Sequence, residues 1–410
     1  MESLKERTDE LKLLASENDL SRTTRRLMDF FVDFALPNDL KNKSIQLRAK
    51  YNTLDNSGQQ PNNQQDVILQ ETLQLLKQIE NNLQHLKQNP LNIPIQQPDN
   101  ENYNIAFEAK QLSKTYTSPK YKFKLPPLDL KLKLGELTGV VGENGNGKTT
   151  LLRLIAGDLA RDHGSINYPC LNTESGDWYG VKQQIAYIQQ QNSSWAGLLK
   201  TNLQFNASTH GILGKENTEL VEFLIHRLGL TKYEYSTWNE ISTGYRLRFE
   251  LAKALVTRPK LLVLDEPLAN LDVNTRSLFL QDLRYLAASI RYPVAIILSS
   301  QQLQEVESIS DNIIFIKNGE AIYNGKVAEF GAKRQENVFE LRCGGNRATL
   351  YETLKTIPNL QVEDQGTAMF IHTPLNFNGN QLLALLIQQN IQIEHFREIS
   401  NSTRRLFLQP

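Results

Sequence analysis

Gly142-Glu143-Asn144-Gly145-Asn146-Gly147-Lys148-Thr149 decides how the rest of the chain is read. It fits G-x-x-x-x-G-K-[ST] at every fixed position. The short apolar run Leu137 to Val141 precedes it, and a good helix, Thr149 to Ala156, follows and stops at Gly157. Strand, loop and helix in this order leave free backbone N–H groups at a helix N-terminus, where they attract phosphate. Gly145 and Gly147 let the backbone approach without side chains in the way. Lys148 supplies a point charge for terminal phosphates, and the Thr149 hydroxyl can hold Mg²⁺. The competing reading is a chance glycine loop before a helix.

Downstream, Leu261-Leu262-Val263-Leu264-Asp265-Glu266-Pro267 is an apolar run ending in two acids. A strand buried on both faces of a parallel sheet has this composition, and ligands of such sheets bind at its carboxyl end. Asp265 can hold Mg²⁺ directly or through water. Glu266 can orient or deprotonate an attacking water; its alternative role is a solvated strand-end charge.

Three further segments make a family recognisable. Ile241-Ser242-Thr243-Gly244-Tyr245-Arg246-Leu247-Arg248, opening a helix through Val256, resembles the LSGGQ signature of ATP-binding cassette (ABC) ATPases. Leu268-Ala269-Asn270-Leu271-Asp272 resembles their D-loop, and Ile185 to Gln190 resembles the strand leading into their Q-loop. The resemblance covers roughly residues 104–330. It implies ATP and Mg²⁺ as ligands. Gly142, Asn144, Gly145, Asn146, Gly147, Lys148, Thr149 and Thr150 would bind the phosphates, and Tyr116 would stack on adenine, although a tyrosine there could simply pack. Gln190 would contact Mg²⁺ or water and report to a membrane partner; Thr149 and Asp265 would complete the metal site. Ser242 and Gly244 would contact the γ-phosphate held by the opposite subunit, and Asp272 would help join the two subunits. A helical subdomain is expected around residues 192–257.

Two departures stand out. The signature carries Thr243 for its first paired glycine and Tyr245 for its glutamine. In the run Ser299-Ser300-Gln301-Gln302-Leu303-Gln304-Glu305-Val306-Glu307, Gln301 falls in the position of the switch histidine. Glutamine hydrogen-bonds but cannot carry positive charge, so slower hydrolysis with retained binding is expected. The catalytic set is then Glu266, Gln301 and Lys148.

The flanks have a different texture. Leu4, Leu11, Leu14, Leu20, Leu27, Phe30, Phe31 and Phe34 recur at helical spacing, Pro37 closes this stretch, and a third helix is expected over Asp39 to Leu54. Leu69, Leu73, Leu76, Ile79, Leu83 and Leu86 form one stripe, either a short coiled-coil seam or packing within a helical domain. Between Asn52 and Asn102, Asn and Gln supply 21 of 51 residues, a composition that disfavours a packed core; Gly58 to Gln65 and Asn89 to Asn102 read as linkers. After residue 330 the order strand, helix, two strands, helix, strand fits a ferredoxin-like unit. The expected fold class is therefore α/β: a phosphate-loop NTPase core of ABC type, a mostly parallel sheet with a helical subdomain, over residues 101–330. An all-α domain with a linker precedes it over 1–100, and a small α+β domain follows over 331–410.

Composition narrows the function. The chain has 410 residues with Lys+Arg 45 and Asp+Glu 45, and a balanced charge gives no reason to expect nucleic acid as a partner. Apolar residues are 40% and mean hydropathy is −0.43, which excludes wholesale disorder. Cys170 and Cys343 cannot build a disulfide framework or a four-ligand zinc site. No run reaches the ~18–20 apolar residues of a membrane span, and the charged start, Met1 to Leu20, is no signal peptide. The expected location is the cytoplasm, peripheral to the inner membrane. None of the six histidines has an obvious chemical role; His163 is expected in a turn. Trp195 either packs or docks a partner.

The run Ser299 to Glu307 and the length of the C-terminal extension are similar to export-type cassettes of the antibiotic-resistance and gliding-motility kind, and Asn401 to Leu408 could be a degenerate form of their ending. The leading expectation is the ATPase subunit of an exporter, pairing with a second ATPase subunit and separate transmembrane permease subunits. The rivals are a soluble mechanochemical ATPase acting on protein, ribosome or DNA, and an ATP-binding regulator with slow turnover.

Overall fold

The computed structural model describes residues 2–34, 37–57, 62–88, 104–118, 121–171, 177–190, 194–269, 271–330, 336–344, 347–354, 357, 360–364, 366, 368–400 and 402. The Asn89 to Asn102 linker, Asn270 of the D-loop and nearly all of Asn401 to Leu408 lie outside the described residues.

Four helices come first: α1 (Glu2–Ser16), α2 (Leu20–Phe34), α3 (Asn38–Ser57) and α4 (Asn62–Gln88). Leu20, Leu27, Phe30, Phe31 and Phe34 form the buried stripe of α2 and meet Leu11, Leu40, Leu47, Ile68 and Ile79. Pro37 accepts from the amides of Leu40 and Lys41 through its carbonyl, so it opens α3 as well as ending the preceding stretch. Two expectations are corrected. The Gly58 to Gln65 linker is shorter than its composition suggests, because α4 already begins at Asn62. The α4 stripe is rotated: Ile68, Leu75, Leu76 and Ile79 are buried, while Leu73 is 42% exposed. The side chains of Leu83 and Leu86 lie outside the described residues.

The long hairpin β1 (Ile105–Ser118) and β2 (Tyr121–Lys133) follows, then β3 (Leu137–Val141), α5 (Lys148–Ile155) and β4 (His163–Asn167). β4 pairs with β1, with His163 opposite Ser113. His163 therefore begins a strand; the turn expected there lies before it, at the end of α5, where Gly157 takes φ 69°. Next come α6 (Trp178–Gln183), β5 (Ile185–Ile188), α7 (Leu199–Thr209), α8 (Gly214–Arg227), α9 (Thr243–Val256), β6 (Leu261–Leu264), α10 (Val273–Ala287), β7 (Ala295–Ser300), α11 (Leu303–Glu307), β8 (Asn312–Lys317) and β9 (Glu320–Lys326). The main sheet runs β5-β6-β7-β3-β8-β9. Its first five strands are parallel and β9 is antiparallel. β3, β6 and β7 are buried along their whole length, as strands covered on both faces must be. β2, β1 and β4 make a separate antiparallel sheet, and α7 to α9 supply the helical layer expected around 192–257.

The chain closes with β10 (Glu336–Gly344), α12 (Arg347–Leu354), β11 (Gln361–Asp364), β12 (Met369–Pro374), α13 (Gly379–Gln388) and β13 (Gln392–Glu398). Their order, β11-β12-β10-β13, antiparallel throughout, is that of a ferredoxin-like sheet.

Candidate functional site

Register brings the site together. Leu264 of β6 pairs with Ile188 of β5 on one side and Leu298 of β7 on the other, and Val141 of β3 pairs with Ser300. β5 and β6 thus end opposite Leu298, and β7 and β3 run two residues further. The residues that follow them, Gln190, Asp265 and Glu266, Gln301, and the loop from Gly142, emerge at one edge of the sheet.

The loop after β3 is built by glycine where no other residue fits. A Cβ on Gly142 would lie 2.2 Å from the Ile316 carbonyl oxygen. Gly147 has φ 100° and is the N-cap of α5 with no side-chain cap, so the first backbone N–H groups of α5 are open to an acceptor. Phe123 packs against Gly147, and Asn146 Oδ1 accepts from Asn318 N at 3.1 Å, tying the loop to the end of β8. Tyr116, Phe123, Asn144, Gly145, Gly147, Lys148, Thr149, Thr150, Gln190 and Glu266 line one groove of about 680 Å³. The Lys114 ammonium pairs with Asp162, which also accepts from Thr115 N at 2.7 Å; these bonds fix the strand carrying Tyr116. The Tyr116 and Phe123 rings are 6.3 Å apart.

Lys148 is buried, and its Nζ donates to the carbonyls of Gly142 (2.8 Å) and Glu143 (3.1 Å) and lies 3.2 Å from Glu266 Oε1. Glu266 Oε2 accepts from Gln190 Nε2 at 3.0 Å and Gln301 Nε2 at 2.9 Å. One carboxylate thus gathers three residues expected at the site from three strand ends. Glu266 itself has φ 45°, a left-handed conformation that costs of order 1–2 kcal/mol for a residue with a Cβ. Its amide donates to Ser299 Oγ at 2.8 Å.

Ser299 was not singled out by sequence. It is fully buried, and its hydroxyl donates to Asp265 Oδ1 at 2.8 Å while accepting the Glu266 amide. It pins both acids through one oxygen. The available signal was a pair of hydroxyl residues, Ser299 and Ser300, ending an otherwise aliphatic strand. Burial pushes the Tyr187 hydroxyl pKa up, and the neighbouring Asp265 carboxylate adds to the shift.

The residues suit a nucleotide with Mg²⁺. Nothing stands within 4 Å of a Cβ placed on Gly145, which leaves the loop open to a phosphate chain. Thr149 is exposed in the groove, and among the described residues its hydroxyl makes no hydrogen bond. Hydroxyl, amide and a single carboxylate form an oxygen-donor set that a hard cation uses alongside phosphate oxygens and water.

Ser242, Gly244 and Asp272 lie outside this groove. Ser242 is the exposed N-cap of α9 and makes no side-chain cap bond. A Cβ on Gly244 would meet Thr275 Cγ2 at 3.2 Å, which places the start of α9 against the start of α10. Asp272 caps α10 by accepting from Thr275 N at 2.9 Å. These three form a second, outward-facing cluster. Trp195 is half-buried: it stacks on Trp238 at 5.0 Å and donates to Glu250 Oε1 at 2.8 Å. Burial pushes the Glu250 carboxyl pKa up.

Residues 125–269 match the family model described as ABC transporter. The chain is 30% identical over 214 residues to the ABC transporter ATP-binding protein NatA of Bacillus subtilis, covering 52% of this chain and 85% of that protein. It is 27% identical over 219 residues to the petrobactin import ATP-binding protein FpuC of Bacillus anthracis, covering 52% and 80%. The solved cbiO1 from Clostridium perfringens, part of the ABC transporter complex cbiONQ, superposes with TM-score 0.49 at 24% identity, covering 56% of this chain and 92% of that one.

Proposed function

Because the chain belongs to the family of ABC transporter ATP-binding proteins, we propose that it is the ATP-binding and ATP-hydrolysing subunit of a transporter, joined to separate permease subunits and working in export. The observation that carries the reading is the convergence of Lys148, Gln190 and Gln301 on Glu266 at the mouth of the phosphate-loop groove. In this reading the chain has three units: a helical unit over 1–100, the cassette over 101–330, and an α+β unit over 331–410.

ATP enters with its base against Tyr116 and its phosphates along Gly142 to Thr150, where the open amides of α5 and the Lys148 ammonium meet the negative charge. Thr149, Asp265 and Gln190 are the residues that would hold Mg²⁺, whose charge would neutralise phosphate oxygens. Phosphate in the groove draws Lys148 off Glu266 Oε1, and that oxygen becomes free to take a proton from water. Water attacks the γ-phosphorus, the bond to the bridging β–γ oxygen breaks, and ADP and phosphate leave. Ser299 keeps the two acids in place while this happens. Gln301 fixes Glu266 as a neutral donor and brings no positive charge to the terminal phosphate, so turnover is slow.

Ser242 and Gly244, on the uncapped start of α9, would complete the site of a second subunit, with Asp272 at the seam between them. Closure on ATP and opening after hydrolysis would move the permease, a population shift driven by nucleotide. Among the described residues no helix is long and apolar enough to cross a membrane. In this reading the permease is a separate chain, with this subunit at the cytoplasmic face. Export is supported by the run Ser299 to Glu307. Affinity recovery of the full chain from solubilised membranes tests the transport role. Recovery of a multi-span protein is expected; its absence, with intact ATPase activity, contradicts that role and favours a soluble ATPase.

A further inference from the structure

The first four helices keep a self-contained apolar core: among the described residues it draws one apolar side chain from elsewhere in the chain, Ile290. The contact with the cassette is polar, and it reaches two different layers. On the α10 side, Arg25 Nη1 lies 2.9 Å from Asp282 Oδ2 with both side chains buried, and the Arg26 guanidinium covers the Tyr285 ring. Asp33 Oδ1 accepts from Ser289 Oγ at 2.6 Å and from Ile290 N at 3.0 Å. On the helical-layer side, Asp29 takes a two-pronged bond from Arg227 of α8, at 2.5 and 3.1 Å. Arg48 and Asn52 of α3 both donate to the His226 carbonyl, at 3.2 and 3.1 Å, capping the C-terminal end of α8, where donors and positive charge are favoured.

Arg25 and Asp29 are one helical turn apart on α2, yet one holds the core layer and the other the helical layer. Between the layers, next to Phe31, Arg227 and Tyr285, a cavity of about 380 Å³ remains. α8 and α10 share one apolar core elsewhere, but at this junction it is directional, buried charge pairs that bridge the open space, and they tolerate few alternative geometries. α8 packs on α9 through the same core, and α9 carries Ser242 and Gly244 at its start.

We infer that the N-terminal helices are an intramolecular brace, which ties the helical layer to the α10 side of the core and so sets where α9 presents Ser242 and Gly244. The brace goes beyond the transport reading and stands on contacts of its own. Interlayer distance, which needs no turnover, tests it separately from ATPase activity.

The experiment uses the full chain with Cys170 and Cys343 replaced by alanine and spin labels at Phe205→Cys on α7 and Glu320→Cys on β9, both exposed. Pulsed electron–electron resonance reads the distance distribution. The paired exchange Asp29→Leu with Arg227→Met removes both charges together; Arg26, which also donates to Asp29, keeps Asp282 at 3.6 Å as its remaining partner. The distribution should widen about twofold, as expected for a layer freed to sample alternative orientations. Should that pair fail to fold, Arg48→Met with Asn52→Ala cuts the same layer free at the end of α8. An unchanged mean and width in a folded variant of either kind overturns the brace.

Discussion

Gln301 Nε2 donates to Glu266 Oε2 across 2.9 Å. In the proposed mechanism Gln301 orients the acid through this bond, as a neutral amide can, but adds no positive charge. Gln301→His should raise steady-state ATP turnover several-fold, toward about tenfold for ~1.4 kcal/mol of added transition-state stabilisation. No increase in the steady-state rate would sink this account of slow turnover.

Ser299 joins the two acids through one hydroxyl. Ser299→Ala leaves the Glu266 amide and one Asp265 oxygen without their partner. Such losses cost about 1–3 kcal/mol each when buried. The expected result is a Mg²⁺-dependent rate reduced about tenfold or more, with the half-saturating Mg²⁺ concentration raised. Ser299→Thr keeps the hydroxyl and should recover much of the rate. Equal loss in both variants would mean that volume, not the hydroxyl, matters.

Two loop glycines should respond for different reasons. At Gly142 the backbone is approached too closely: a methyl group would stand 2.2 Å from the Ile316 oxygen. Gly142→Ala should destabilise the chain by about 1–3 kcal/mol, the range of local overpacking. At Gly145 there is room, but φ is 81°, and Gly145→Ala should cost only about 1 kcal/mol. Thermal melts of the two variants give the ranking, and a larger loss at Gly145 would contradict it.

Burial pushes the Asp282 carboxyl up, but Arg25, Arg227 and Arg26 outweigh burial and hold its pKa below the usual 3.8. A depressed acid stabilises the folded chain above its unfolded pKa, and that stability is lost as pH falls through the folded value. The increment from Asp282 should thus be complete above about pH 4 to 5 and shrink at lower pH. In denaturant melts across pH 2.5–6, Asp282→Asn should flatten the acid-side slope. An unchanged slope would show that Asp282 is not paired as described.

Much of the site was legible because the chemistry is written in contiguous motifs. The runs Gly142 to Thr149 and Leu261 to Glu266 each contain a strand end and the groups it presents. What sequence could not show is register. That Gln190, Gln301 and Lys148 meet on Glu266 depends on Leu264 pairing with both Ile188 and Leu298, a relation between segments far apart in the chain. Ser299 was missed for the same reason, since its role exists only opposite Asp265. The helical periodicity of the first 88 residues was readable, whereas the buried Arg25, Arg48 and Arg227 were not. Charged residues at helical spacing read as a solvated face, and here that face lies on Asp282, Asp29 and the end of α8. On α4 the Leu73 stripe misled, because alternating leucines offered two overlapping apolar faces and packing against α3 and α1 chose the one through Ile68, Leu75 and Ile79.

In the proposed mechanism Glu266 is the group through which this groove hydrolyses ATP. Glu266→Gln keeps the shape and the hydrogen-bonding capacity but removes the proton acceptor. Steady-state ATPase activity of this variant, measured beside equilibrium ATP binding, tests the claim most directly. A fall in turnover of about 10²-fold or more, with ATP affinity within a few-fold of wild type, is expected. Wild-type turnover in Glu266→Gln would contradict it.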